Sequence, residues 1–412
     1  MGHSYVRRTV RRLFGTEGTV ALEPEMRVVM AMTAVGVSGI FVVSPIVSQL
    51  SGPFEVSQAR VGQLVTAFVA PSILLVPVMG VFADRVGRRP VIVGGLVVFG
   101  IAGAAVGLAS SFLVVLGLRA IQGIGYAAVI PIGAALIGDL YEGSREATAQ
   151  GLRVASIQTT NLVSPPLAGV LVLVSWRFPF FLYVLALGVA LMAWRTLPPV
   201  KPGDSEGLVQ YVRSLLRLVS EPVLGMVMLS FAVRFLLAFS FFAYVSVLLS
   251  RTVGASAVET GMVVSLFALV SLTSAAQAGR LAASWNILLV TLVGLFLSGT
   301  GMALMGAFPV YPAIITGVVL SAVGVGVTGP IQKSLVTQLA PTSLRAGAVS
   351  SAVIFQSIGS TGGPLLMGLA LSRFSVTTTF VGFGAVGGMA GSALLAVAYA
   401  KGTPGDLAEN RR

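Results

Sequence analysis

The chain contains no cysteine, so disulfides, thiolate nucleophiles and thiolate metal sites are all excluded. Its single histidine, His3, stands in the N-terminal tail and leaves no histidine for a metal cluster or a nucleophilic triad. Charge is scarce as well: Asp, Glu, Lys and Arg make up 10% of 412 residues, against about 25% in soluble globular proteins. So few charges cannot coat a water-facing surface of this size, which excludes a water-soluble enzyme. Disorder is excluded from the other side, because 56% of the residues are hydrophobic. Acids are scarcer than bases, 14 against 26, for a net charge of +12. A basic excess ordinarily raises nucleic acid as a partner, but here it sits in short segments between apolar runs. The composition is that of an integral membrane protein.

Crossing the hydrocarbon layer takes about 20 mostly apolar residues in a helix. Twelve such runs are present, at 28–50, 61–81, 91–109, 113–138, 150–173, 178–197, 222–250, 260–279, 287–307, 312–337, 347–371 and 378–400. They are long and continuous, unlike the short alternating segments of a membrane β-barrel. The expected fold is all-α, with twelve transmembrane helices in two pseudo-symmetric six-helix bundles. A Pro/Gly-rich polar break at 198–221 divides the chain into an N-terminal tail (1–27), a first bundle (28–197), the linker, a second bundle (222–400) and a C-terminal tail (401–412). Within the break, 207–219 reads as a short amphipathic helix. In the first tail, Val6, Val10, Leu13 and Phe14 fit one face of an interfacial helix, and a plain basic tail fits equally well.

The halves repeat at an offset of 199: Gly80 maps to Gly279, Gly125 to Gly324, Pro131 to Pro330, Pro165 to Pro364, Gly169 to Gly368 and Phe181 to Phe380. Two six-helix units related by an axis along the membrane normal are a known carrier plan. Lys and Arg set the orientation. With the N-terminus cytoplasmic, 18 bases fall inside and four outside (Arg60, Arg177, Arg251, Arg373), while Arg119, Arg153, Arg234 and Lys333 lie within the spans. Both termini are therefore expected on the cytoplasmic side of a bacterial or archaeal inner membrane.

Between the second and third runs stands GVFADRVGRRP (80–90), with Asp84 among Arg85, Arg88 and Arg89. Gly80 suits a close helix approach and Gly87 a sharp turn. A positive-inside loop accounts for the arginines alone, but the spacing of Gly80, Asp84, Gly87, Arg88 and Arg89 resembles the signature loop of the major facilitator superfamily. LRAIQGIGYAA (118–128) resembles the family's fourth-helix motif through Arg119, Gln122, Gly123, Gly125 and Ala128. GDLYEGSREATAQG (138–151), with Asp139, Glu142 and Arg145, and SWRFPFF (175–181) resemble the segments that follow. In the fifth run, TNLVSPPLAG (160–169) keeps Pro165 and Gly169 of the drug-efflux antiporter pattern, with Thr160, Ser164 and Ala168 in place of three glycines. In the second half, Ala283 stands where a second signature acid would be. GVGVTG (324–329) matches a nucleotide-binding pattern by letter only, since it lies inside an apolar run. No phosphate loop for ATP is present.

Candidates for the substrate cavity are Arg119, Gln122, Tyr126, Arg153, Gln158 and Asn161 from the first half. The second half offers Arg234, Phe235, Phe239, Tyr244, Gln277, Gln332, Lys333 and Gln356. Arg234 reads either as a substrate contact or as a cap on the carbonyls of a broken neighbouring helix. The stripe Phe231, Phe235, Phe239 and Phe242 reads either as packing or as a binding face. Every Asp and Glu stands in a tail, a loop or at a helix end, so the spans hold no acid for a proton site.

The resemblance implies a secondary transporter working by alternating access, exporting small amphipathic or hydrophobic compounds coupled to protons. An importer or facilitator of a small organic anion is the alternative, and a non-transporting sensor or scaffold on the same fold is a third. The expected partners are a small-molecule substrate, protons and the lipid bilayer, with no nucleic acid, no metal and no cofactor, for a chain acting as a monomer. The resemblance also implies that Asp84 faces the start of the eleventh helix and holds the cytoplasmic gate. The topology is open to a clean test because no native cysteine interferes. A cysteine introduced at Ser205 should react with an impermeant maleimide only from the cytoplasmic face, and labelling in intact cells would overturn the orientation.

Overall fold

The computed structural model of the protein describes residues 17–199, 221–339 and 345–401. The interfacial helix of the N-terminal tail, the 207–219 helix, Ser205 and all but the first residue of the C-terminal tail lie outside these residues. The described residues hold no strand and form twelve rods. They are α1 (Pro24–Phe41, continuing after a bend as a 3-10 segment, Ser44–Leu50), α2 (Gln58–Val86), α3 (Arg88–Leu108), α4 (Phe112–Leu140), α5 (Gly143–Val172), α6 (Phe178–Thr196), α7 (Pro222–Thr252), α8 (Ala257–Ser284), α9 (Ile287–Ala307), α10 (Tyr311–Leu339), α11 (Arg345–Leu371) and α12 (Val376–Lys401). The all-α expectation is borne out.

Ten of the rods are each long and apolar enough to cross a membrane, and α1 with its 40° bend makes an eleventh. The remaining rod, α5, is long enough but carries Arg153, Gln158, Thr159, Thr160, Asn161 and Ser164 along its length. Several rods also run past the expected spans: α2 to Val86 instead of 81, α5 from Gly143 instead of 150, α8 to Ser284 instead of 279. A helix satisfies its own backbone wherever it is, so it need not stop where the hydrocarbon does. The segment 80–90 is accordingly less of a loop than expected. Helix continues to Val86, Gly87 alone turns the chain at φ 99°, and α3 starts at Arg88. This end of the molecule is called the loop end below.

Apolar side chains gain nothing by leaving lipid for a helix interface, so membrane helices depend on close backbone approach at small residues. The two halves use the same device at the 199 offset. A Cβ on Gly125 would stand 2.5 Å from the Gly95 carbonyl, and a Cβ on Gly324 would collide with the Gly294 carbonyl in the same way. Gly326 presses on the backbone of Ser271. The glycines of 324–329 are thus packing glycines.

The halves meet at the end opposite the loop end. Beyond its bend, α1 lies along α7: Ser44 Oγ donates to the Phe242 carbonyl (2.6 Å), and the Ser48 N–H donates to Ser246 Oγ (3.2 Å). Tyr244 donates to the Ala59 carbonyl (2.9 Å), and Ser265 on α8 donates to the Leu162 carbonyl on α5 (2.6 Å). Pro165 and Gly169 of the fifth-helix motif sit in this seam. A Cβ on Gly261 would lie 2.6 Å from the Pro165 carbonyl oxygen, and one on Gly169 2.6 Å from that of Ala257. Backbone on both sides cannot yield to a larger residue. Gly261→Val should therefore pry this end open, lengthening the distance between spin labels at Gln49 and Arg251. Gly188→Val, where a Cβ meets nothing within 4 Å, is the control that should leave the distance unchanged.

Candidate functional site

The seam roofs a cavity of about 600 Å³ between the halves. Helix α1 contributes Val37, Ile40 and Phe41, α2 Ser72 and Val76, α4 Tyr126 and Ile130, and α5 Arg153, Gln158 and Asn161. From the other half come Arg234, Phe235, Phe239 and Phe242 on α7, Phe267 on α8, Lys333 on α10 and Gln356 on α11. The polarity of α5 now has a cause, because one face of that helix lines the chamber. Arg234 lies 12 residues into α7, about 18 Å along the axis at 1.5 Å per residue. That is near the middle of a hydrocarbon layer about 30 Å thick.

The lining is mostly apolar and aromatic, with a few polar groups. Phe239 packs edge-on to Phe242, which in turn meets Phe41 and Phe267. Asn161 Nδ2 donates to Gln158 Oε1 (3.1 Å), while its own Oδ1 is buried without a partner. The Arg153 guanidinium donates to the Ile130 carbonyl (3.1 Å) and leaves Nε unpartnered. Arg234 stacks on the Phe235 ring at 4.4 Å, donates one long bond to the Val325 carbonyl (3.4 Å), and likewise leaves Nε unpartnered. Lys333 is exposed and stands within range of the charges of Arg234 and Arg153. No Asp or Glu is among the lining residues.

Of the cavity candidates, Tyr126, Arg153, Gln158, Asn161, Arg234, Phe235, Phe239, Lys333 and Gln356 line the chamber. Arg119 and Gln122 do not, and the expectation that they face it is corrected. Both are fully buried. At the bend of α1 the Val43 N–H bonds to Ile40, leaving the Gly39 carbonyl without its helical partner. Arg119 donates to that carbonyl (2.7 Å), to Gln122 Oε1 (2.6 Å) and to the Leu64 carbonyl (3.4 Å), and its guanidinium lies 4.3 Å from the centre of the Phe68 ring. Capping a broken neighbour, weighed above for Arg234, is what Arg119 does. Tyr244 belongs to the seam, Gln332 donates to Ser230 (2.8 Å), and Gln277 is exposed and bonded to Arg280 (3.2 Å). Gly123 and Gly125 hold α4 against α2 and α3.

At the loop end, Arg88 forms an ion pair with Asp139 and lies 3.9 Å from Asp84. Two cations in the first turn of α3 oppose its dipole, and these carboxylates offset one of them. Arg89 lies 4.4 Å over the Trp194 ring, and Arg85 is exposed. Glu142 is exposed and outside this cluster, and Arg145 pairs with Glu23 instead (2.5 Å). The close approach expected at Gly80 is not met, since a Cβ there would touch nothing within 4 Å. The hydrogen bonds described between the halves lie at the opposite end. The partner expected for Asp84 is the start of α11, where the side chains of residues 345–347 lie outside those described.

Sequence reasoning missed Phe41 and Phe267 as chamber walls, and left Phe242 open between packing and a binding face. A phenylalanine that faces lipid, a neighbour or a cavity looks the same in sequence.

Fold and site together define a two-halved helical membrane protein with one central chamber, closed at one end by the seam. The family model described as Major Facilitator Superfamily matches residues 29–364 and 227–411. The chain belongs to the major facilitator superfamily. It is 34% identical over 120 residues to the multidrug transporter protein MdtP of Bacillus subtilis, covering 29% of this chain and 22% of that one. To multidrug resistance protein 1 of the same organism it is 24% identical over 336 residues, or 80% of this chain and 85% of that one. A solved bacterial homolog of the human lysosomal transporter Spinster, inward-facing and unoccupied, superposes with a TM-score of 0.73 at 17% identity, covering 94% of this chain and 96% of that one.

The buried arginine gives the stability prediction. Arg119→Ala deletes charge-assisted hydrogen bonds, each worth roughly 1.5–3 kcal/mol, and leaves the Gly39 carbonyl short of a partner. Its melting temperature in detergent should fall clearly, and Arg119→Lys should rescue it only in part because a point charge cannot serve separated acceptors. A melting temperature equal to that of the unsubstituted protein would return Arg119 to the cavity candidates.

Proposed function

We propose that this protein is a secondary transporter that exports small amphipathic or hydrophobic compounds by alternating access, with a proton gradient as the driving force. The observation that carries the reading is the chamber: both halves line it near mid-membrane, and the hydrogen bonds described between them lie at one end. Such an arrangement moves a ligand across when the sealed end opens and the other closes. The aromatic and aliphatic walls suit an apolar body, and scattered amide and cationic groups suit one polar end. Support for export over import comes from the relatives whose names denote multidrug transport and resistance.

In this reading the molecule has the orientation that the basic residues predict, with the loop end cytoplasmic, both termini inside, and residues 28–197 and 222–400 as the moving bundles. The structure is then the inward-facing state. Asp84, Arg88 and Asp139 form the cytoplasmic gate, and Gly80 marks where the bundles approach when that end shuts. The reading is tested in proteoliposomes with a fluorescent amphipathic dye outside and an acidic interior. Accumulation should rise several-fold over vesicles without a gradient, and collapse when a protonophore is added. Movement that ignores the gradient would remove proton coupling. No movement of any compound would favour a sensor or scaffold on the same fold.

A further inference from the structure

We infer that the chamber selects amphipathic organic anions: a carboxylate, sulfonate or phosphate end held by Arg234 and Lys333, and an aromatic body held by Phe235 and Phe239. The inference rests on the transporter reading and narrows its substrate class. Three cations, Arg153, Arg234 and Lys333, share one cavity, and no carboxylate lines it. The ion pairs among the described residues all lie at the loop end, between Arg88 and Asp84 or Asp139 and between Arg145 and Glu23. Among the described residues, the chamber cations are therefore without counter-ions of protein origin.

A charge in that position is costly, and cations within membrane helices normally pair or face a pathway. Arg234 is 8% exposed, has five N–H donors, and among the described residues gives one hydrogen bond, long at 3.4 Å, while its Nε finds none. The planar fork is thus held in place by Phe235 on one face, with donors left for a ligand. Asn161, in the same lining, has an Oδ1 that is likewise buried without a partner. A cationic compound would find repulsion from three charges and no acid to pair with, the reverse of what a site for lipophilic cations needs. For an exporter in the proposed orientation, an anion also leaves an inside-negative cell electrically downhill. That gives the missing membrane carboxylates a reason, because the ligand brings the negative charge.

The test uses three probes of one shape: 1-naphthylacetate, its neutral methyl ester, and 1-naphthylmethylammonium. Binding to the purified full chain should be at least tenfold tighter for the anion than for the ammonium, with the ester between. Arg234→Gln and Lys333→Gln should each weaken the anion about tenfold and leave the ester unchanged. Lys333 is exposed to the chamber, so its substitution disturbs no packing, and Lys333→Glu should lose the anion and gain the ammonium. Equal or tighter binding of the ammonium by the unsubstituted protein, binding of no probe, or anion affinity untouched by Lys333→Glu would each overturn the anion assignment. Anion binding with no movement across proteoliposomes would support the site while overturning transport.

Discussion

The contact between Arg119 and the Gly39 carbonyl is the interaction on which the rest of this structure depends. At the closed end the last turn of α1 lies along α7, beyond a 40° bend after Phe41. Bending strands a backbone acceptor in a layer without water, where it costs several kcal/mol if nothing meets it. Arg119 meets it, from a helix that Gly123 and Gly125 allow to stand close to α2 and α3. Small residues, the arginine, the bend and the seam thus form one chain of physical necessity. It ends in Ser44 and Ser48 bonded to α7.

The seam and the chamber divide the same interface between them. Where Pro165, Gly169, Ala257 and Gly261 let backbone meet backbone, α5 and α8 close. Toward the loop end the same helices diverge, and the space between halves fills with Arg153, Gln158 and Asn161 from α5 and with Lys333 and Gln356 from the other half. One helix therefore carries both the tightest contact and the most polar wall. That double duty makes α5 the least apolar rod among the twelve by the test that ten others pass alone. A helix with so many polar groups is tolerable in a membrane only because it faces neighbours and a cavity.

The two intramembrane arginines of α4 and α7 show how far pattern can go. Sequence marks both as exceptional because each lies in a run of apolar residues, and a charge there needs a reason. It cannot say which reason applies. Arg119 has two carbonyls and an amide within reach; Arg234 has one long contact and an aromatic face. The difference arises from the bend in α1, some 80 residues away in the chain, and no local pattern encodes it. Gly80 teaches the same: its small size is legible, but a Cβ there would touch nothing within 4 Å.

Composition and period determined the class of this protein. Twelve apolar runs, the scarcity of charge, the bias of Lys and Arg, the turn at Gly87 and the repeat at 199 all follow from local chemistry, because hydrocarbon imposes length and polarity on every span separately. Those rules act on one helix at a time, so the sequence carries them openly. Tertiary structure alone decided which side chains share the chamber, that Arg119 is a structural bridge while Arg153, Arg234 and Lys333 meet without an acid, and that three phenylalanines serve as walls. These depend on where helices distant in sequence approach or part. In a membrane, an apolar residue reads the same whether it faces lipid, a neighbour or a cavity.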